Sequence, residues 1–266
     1  MLIFNYKMEL EIIKYDLIDS FKDFVKVSPM ETLRKNEKLD IPVDYFKFYN
    51  SVSSVYSSKI EGENIDFDSF FKHKFLNVKY KPDYTKKADD LFAAYEFIYK
   101  NRLTFQNLQR THSILSSNLL PKSQQGFIRN NPMFVINSDD RIEYVAAEPN
   151  IVNFELDKLF NDIELLLKAN LNDFDTFYFA SYIHLVFVKI HPFQDGNGRT
   201  ARLLEKWFLI EKLGEKATSV QLEKNYYKNL DSYYKNIKKL GVEYDKLDYS
   251  KSLDFLLMTV TGLNSE

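Results

Sequence analysis

Two of the seven glycines in this 266-residue chain flank a single asparagine at 196–198, inside His191-Pro-Phe-Gln-Asp-Gly-Asn-Gly-Arg-Thr-Ala-Arg202. Seven glycines and seven prolines leave few places where a regular backbone must stop, and that scarcity favours long helices. The same twelve residues hold one of only four histidines, an aspartate and two arginines. A chain with so few breaks therefore sets one of them where a base, an acid and two cations meet.

Hydrophobic periodicity fills in the rest. Phe48, Val52, Val55, Tyr56 and Ile60 predict a helix over 43–61 that Gly62 stops. Further helices are expected over 86–99, 105–119, 153–167, 175–190, 203–213 (closed by Gly214), 220–240 and 253–263. Between Gly126 and Pro149, the β-prone runs MFVI and IEYV flank Ser-Asp-Asp-Arg and predict a hairpin. The fold class is mainly α with one hairpin, and the hydrophobic share of 45% is enough for a sizeable core. The 16% aromatic share is ordinary core filling.

Charge and composition narrow the partners. Thirty-six basic against 38 acidic residues give a net charge of −2, which argues against nucleic-acid binding through bulk charge. The absence of cysteine excludes disulfides, thiolate metal sites and cysteine nucleophiles. No secretory leader is evident at the start and no stretch approaches 18 apolar residues. The expectation is a cytoplasmic protein with no membrane and no nucleic-acid partner.

The loop itself reads as a phosphate site. Gly196, Asn197 and Gly198 allow backbone N–H groups to converge, and a helix starting near Gly198 adds a partial positive charge. Arg199 and Arg202, three apart, share a helix face and suit phosphate oxygens. Asp195 could hold a cation between itself and the phosphates. His191 is the group able to take a proton near neutral pH. Taken singly, each has an ordinary explanation: a capping histidine, a turn, a solvated arginine face. Gly196 to Ala201 also fits the dinucleotide fingerprint G-x-G-x-x-G/A, but HPFQD intervenes after the preceding apolar run and the surroundings are helical. No P-loop sequence occurs. His112 and His184 read as packed or capping residues, and the late lysines as solvated faces.

The stretch from His191 to Arg202 resembles the complete signature of the Fic (filamentation induced by cAMP) family, HPFx[D/E]GNGRxxR. Ser57-x-x-x-Glu61-Gly62 is similar to that family's inhibitory signature. The resemblance implies a Fic-type helical core over 105–240 with a hairpin flap. It also implies an N-terminal region over 1–104 carrying an inhibitory helix at about 43–62, with 241–266 as a C-terminal extension. It further implies transfer of AMP from ATP to a Ser, Thr or Tyr hydroxyl of an unidentified target protein, and to the chain itself, with Mg²⁺ or Mn²⁺. His191 would be the base and Asp195 the metal ligand, with Phe193 anchoring the loop. Gly196, Asn197 and Gly198 would cradle phosphate, and Arg199 and Arg202 would bind the outer phosphates. Glu61 would pair with Arg202 and misalign ATP. Tyr227 and Tyr234 fall where related proteins hold the adenine, and Ala146-Ala147-Glu148-Pro149 lacks the paired prolines often found after the flap. Relatives are sometimes dimers, so a homo-oligomer is possible. The alternatives are AMP removal by a de-AMPylase or bifunctional enzyme using Glu61, a different nucleotide donor at the same site, and a non-catalytic nucleotide-binding module.

Overall fold

A computed structural model describes residues 9–36, 44–136, 139–261 and 263. Residue 43 of the expected inhibitory helix, Asn137 and Ser138 of the expected hairpin turn, residue 262 of the expected last helix and parts of both termini lie outside the described residues. The chain runs through α1 (Ile18–Phe24), α2 (Pro29–Asn36), α3 (Tyr45–Ile60), α4 (Phe67–Phe75), α5 (Pro82–Lys100) and α6 (Phe105–Leu115). The strands β1 (Phe134–Ile136) and β2 (Ile142–Val145) follow. Then come α7 (Val152–Lys168), α8 (Asp173–Ile190), α9 (Asn197–Leu213), α10 (Leu222–Lys228), α11 (Leu230–Lys238) and α12 (Leu253–Thr261).

The expected helices are present with shifted ends, and α1, α2 and α4 lie in the N-terminal region expected to be helical, for which the sequence sets no bounds on them. α5 starts four residues early, because Pro82 at its first turn is pre-set for a helix and has no N–H to leave unpaired. α6 stops at Leu115 rather than 119, where the Ser116 N–H and hydroxyl both return to His112 O. The stretch expected as one helix over 220–240 breaks at Asn229 (φ −118°, ψ 40°) into α10 and α11. The Asn229 side-chain amide donates to Asn225 O and holds that turn, a local bond that competes with helix continuation.

α8 is buried at every position from Asp175 to Phe187, as befits a central helix that is apolar on all sides. It packs against α9, α12 and α7. The main core extends from Ile13 to Leu263, so both terminal regions pack into it. Asp162 of α7 ties the N-terminal segment down, accepting the N–H groups of Glu11, Ile12 and Ile13 at 2.7–2.9 Å. A smaller cluster of Val55, Ile65, Phe70, Ala88 and Phe92 joins α3, α4 and α5. Ser53, Ser54, Ser57 and Ser58 are all buried in α3, and small side chains there let α3 lie close against α10 and α5.

The hairpin is antiparallel, pairing Phe134 with Val145 and Val135 with Tyr144, with an irregularity before Ile136. Two strands alone are marginal. This pair is steadied by the Val145 N–H bond to Val242 O (2.7 Å) and the Tyr144 hydroxyl bond to Lys189 O (2.6 Å). Among the described residues no helix is long and apolar enough to cross a membrane.

Candidate active site

α8 ends at Ile190, and His191 caps it in the left-handed region (φ 54°, ψ 60°). A non-glycine residue rarely adopts this backbone, and such strain clusters at functional sites. One buried side chain holds the conformation in place. The Arg129 backbone N–H donates to Pro192 O (2.9 Å) and its Nε to His191 O (2.7 Å). Its Nη2 donates to Ala147 O (2.5 Å) and Ile190 O (3.3 Å), and its Nη1 to Asn131 O (2.7 Å). Arg129 thus joins the flap approach to the 191–202 loop through carbonyl acceptors. Sequence reasoning missed it, because a lone arginine near a predicted hairpin carries no signal of burial.

The His191 ring is oriented by Val188 O, 3.2 Å from Nδ1. A carbonyl can only accept, so the proton is assigned to Nδ1 and the lone pair to Nε2. Burial pushes its pKa down to about 4, against the opposing bond to Val188. His191 is therefore neutral at pH 7 and able to accept a proton.

The next residues are fixed from both sides. Phe193 is fully buried, and its ring stacks on His112 at 3.6 Å with a 9° tilt. Asn197 Oδ1 accepts from Phe193 N–H and its Nδ2 donates to Phe193 O, both at 2.8 Å. The expectation that Asn197 cradles phosphate is therefore narrowed. Its side chain is committed to the loop, and its backbone N–H is what it offers. His112 is more than a packed residue. Its Nδ1 accepts from Gly126 N–H and its Nε2 donates to Asp195 O, both at 2.9 Å. Those two bonds require the neutral ring, and burial pushes its pKa down to about 4. Gly196 has φ +78°, and a Cβ there would press on Leu115 and His112 at 3.3–3.4 Å. In the first turn of α9 the N–H groups of Asn197, Gly198 and Arg199 have no intrahelical acceptor, which leaves a site for an anion.

Asp195 is exposed, and its Oδ1 accepts from Gly196 N–H at 2.6 Å. Among the described residues there is no group of three potential metal-ligating side chains. One open carboxylate beside a phosphate cradle fits Mg²⁺ or Mn²⁺ held largely by phosphate oxygens and water. It does not fit an all-protein metal cage.

The end of α3 meets α9 at this point. Glu61 Oε1 accepts from Arg202 Nη2 at 2.7 Å, and Arg202 is fully buried. Arg202 Nε donates to Ser57 Oγ (3.0 Å) and its Nη2 also reaches Ser57 O (3.2 Å). A Cβ at Gly198 would lie 2.8 Å from Glu61 Oε1, so glycine there makes room for the carboxylate. Burial works to raise the Glu61 pKa, but Arg202 and Arg199 outweigh it and hold the carboxyl below its usual range. Gly62 follows in the turn, its N–H donating to Lys59 O. Arg199 does not line the cavity beside its expected partner. Its Nη2 lies 3.7 Å from Glu63 Oε1, and its buried Nε has no hydrogen-bond partner among the described residues.

A cavity of about 830 Å³ opens here, lined by Glu61, Gly198, Arg202 and His191 on one side. Val135 and Tyr144 of the hairpin and Tyr233 and Tyr234 of α11 form other parts of its wall. Tyr234 thus lines the cavity, and Tyr227 is not among the residues of its wall. The break at Asn229 leaves Tyr227 on α10, its ring against Tyr56 at 5.6 Å. Tyr233 was not singled out by its sequence, since neighbouring aromatics are common in this chain.

The Fic/DOC family model matches residues 102–209. No curated protein matches the sequence. A Fic family protein from Desulfovibrio desulfuricans G20 superposes with a TM-score of 0.67 at 18% identity, over 92% of this chain and 69% of that one. A Fic domain containing signaling protein from Bacteroides thetaiotaomicron gives 0.63 at 18%, over 93% and 92%. Fic-1 (residues 134–508) from C. elegans gives 0.62 at 16%, over 91% and 71%. At these identities the likeness concerns the fold. With the family match falling on the loop, the flap and the helices around them, residues 102–209 form a Fic/DOC-family domain.

Proposed function

We propose that this chain is an autoinhibited protein adenylyltransferase, moving AMP from ATP to a Ser, Thr or Tyr hydroxyl of a target protein and to itself. Fic-family proteins generally transfer nucleotide-derived groups to proteins. One observation carries the finer reading. The Glu61 carboxylate, bound to Arg202, lies against Gly198 at the N-terminus of α9, and His191 lines the same cavity. The protein's own anion stands beside an anion site, next to a base.

In the reaction, His191 Nε2 takes the proton of the attacking hydroxyl. The hydroxyl oxygen bonds to the α-phosphorus, the bond from that phosphorus to the bridging oxygen breaks, and pyrophosphate leaves. First-turn N–H groups of α9 meet the charge that develops on the α-phosphoryl oxygens. Arg202 grips the outer phosphates once Glu61 has yielded it. Asp195 would hold Mg²⁺ or Mn²⁺, which when bound neutralises and orients phosphate oxygens. While Glu61 keeps Arg202, ATP sits misaligned, and small errors in reacting geometry are costly. The hairpin's exposed Phe134, Ile136 and Ile142 offer a target an apolar edge.

The test is self-labelling from α-labelled ATP with Mg²⁺, comparing wild type, Glu61→Gly and Glu61→Gly/His191→Ala. Strong labelling in Glu61→Gly alone is expected. No labelling of Glu61→Gly or of added protein substrates, in a variant that binds ATP, would overturn transfer from ATP and favour another donor. A second reading, removal of AMP, is favoured by the ionised Glu61 at the edge of the cavity, where a carboxylate can orient water. It requires wild type, and not Glu61→Gly, to release AMP from a labelled protein.

A further inference from the structure

Arg202 must keep its aim after Glu61 lets go. Ser57 of α3 and Glu61, which caps the C-terminus of that helix, hold Arg202 Nε and Nη2. Its Nη1 instead donates to the Tyr233 hydroxyl of α11 at 3.4 Å. That hydroxyl lies 3.0 Å from His184 Nε2, and His184 Nδ1 lies 2.6 Å from Glu205 Oε2. Glu205 is fixed in turn by the Tyr226 hydroxyl (2.9 Å) and the Thr259 hydroxyl (2.6 Å). All six side chains are buried.

The direction of every bond in this chain is determined. A carboxylate accepts, and burial lowers the His184 pKa and keeps the ring neutral, so Nδ1 carries the proton and Nε2 carries the lone pair. The Tyr233 proton therefore goes to His184 Nε2, and the Tyr233 lone pairs face the guanidinium, which can only donate. His184 gives the Tyr233 proton somewhere to point other than at the cation. Tyr233 also lines the cavity, so the relay ends where a ligand would lie.

We infer that Glu205, His184 and Tyr233 form a positioning relay that holds Arg202 on the outer phosphates when Glu61 is displaced, making the site selective for a nucleoside triphosphate over its monophosphate. This rests on the proposed function, since it needs Arg202 to serve phosphate. None of the three touches the reacting atoms. They act through the arginine, and their effect falls on the ratio of affinities.

The experiment is calorimetric titration of ATP and of AMP into Glu61→Gly, Glu61→Gly/Tyr233→Phe and Glu61→Gly/His184→Phe. Tyr233→Phe keeps the ring and removes one hydroxyl. It is expected to weaken ATP roughly tenfold, the scale of one hydrogen bond to a charged group, and to leave AMP within about twofold. His184→Phe keeps the Tyr233 hydroxyl and removes its acceptor, and is expected to give the same loss of ratio. A ratio of dissociation constants does not depend on the fraction of protein folded, so partial misfolding cannot imitate the result. An unchanged ratio in both variants, or ATP and AMP weakening together, overturns the relay alone. Binding of neither nucleotide by Glu61→Gly overturns the proposed function and the relay with it.

Discussion

The two walls of the cavity are held in opposite ways. From His191 to Gly198 the loop is pinned by buried side chains that bond to backbone: Arg129 on the carbonyls of Ile190 and His191, Asn197 on both polar groups of Phe193, and His112 between Gly126 and Asp195. At the end of α3 the Glu61 carboxylate is held over the anion site by its ion pair with Arg202, and its side chain is 27% exposed. Two turns earlier α3 is firmly fixed. There the buried Glu223 accepts from Ser53 (2.9 Å), Tyr95 (2.6 Å) and Lys206 (3.0 Å). The body of the helix is bolted to the core and its last carboxylate is exchangeable. Geometry is fixed where chemistry must be exact to a fraction of an ångström, and a replaceable anion stands where a ligand must enter.

Breaking the rigid wall has the larger expected effects. His191→Ala in the Glu61→Gly background is expected to cut the labelling rate by roughly 10²–10⁴, the range of a general base, with ATP affinity changed by no more than a few-fold. Single-turnover rates beside binding curves check this, and a parallel fall in both would remove His191 from the role of base. Arg129→Met is next. It strands several buried carbonyls and releases a strained backbone, at about 3–4 kcal/mol. Urea unfolding measures the loss. A change below about 1 kcal/mol would mean that the loop holds itself.

The exchangeable wall gives a smaller effect of unusual kind. Glu61→Gly leaves Arg202 buried without its carboxylate, which destabilises the free protein by about 1–3 kcal/mol. Saturating ATP supplies phosphate in the carboxylate's place and should restore more stability to the variant than to wild type. Melting curves with and without ATP compare the two proteins, and equal ATP shifts would mean that Glu61 does not compete with the nucleotide.

The same contrast explains what could be read from the sequence. The loop was legible because glycines, a histidine before proline and spaced arginines are local signs, and because α8 and α9 on either side have plain apolar periodicity. The hairpin was legible from two β-prone runs. Arg129, His112 and Tyr233 were not, since their roles consist of contacts 31 to 83 residues away in sequence. Periodicity also could not see the break at Asn229, which depends on one side chain choosing a local carbonyl, and so it did not separate Tyr227, packed on Tyr56, from Tyr234, which lines the cavity. α1, α2 and α4 are short and rely on the core for stability, as helices of that length do.

The smallest expected effect separates the two histidines of the rigid wall from the acidic groups around them. His112 and His191 are both pushed down to about 4 by burial, while an unfolded histidine titrates near about 6.5. Between those values the unfolded chain binds more protons than the native one, so stability falls as pH is lowered from about 6.5 to about 4. Below that window the contribution of these groups is already lost, and above it the contribution is complete. Carboxylates titrate in part of the same range, so the total slope assigns nothing by itself. His112→Gln keeps a donor and an acceptor between Gly126 and Asp195 but cannot titrate. Urea unfolding at pH 7 and pH 5 is expected to give a drop smaller by about 1 kcal/mol in that variant than in wild type. Equal drops would mean that His112 takes up its proton in the folded loop, which would require Gly126 N–H to give up its bond and the rigid wall to be softer than its packing implies.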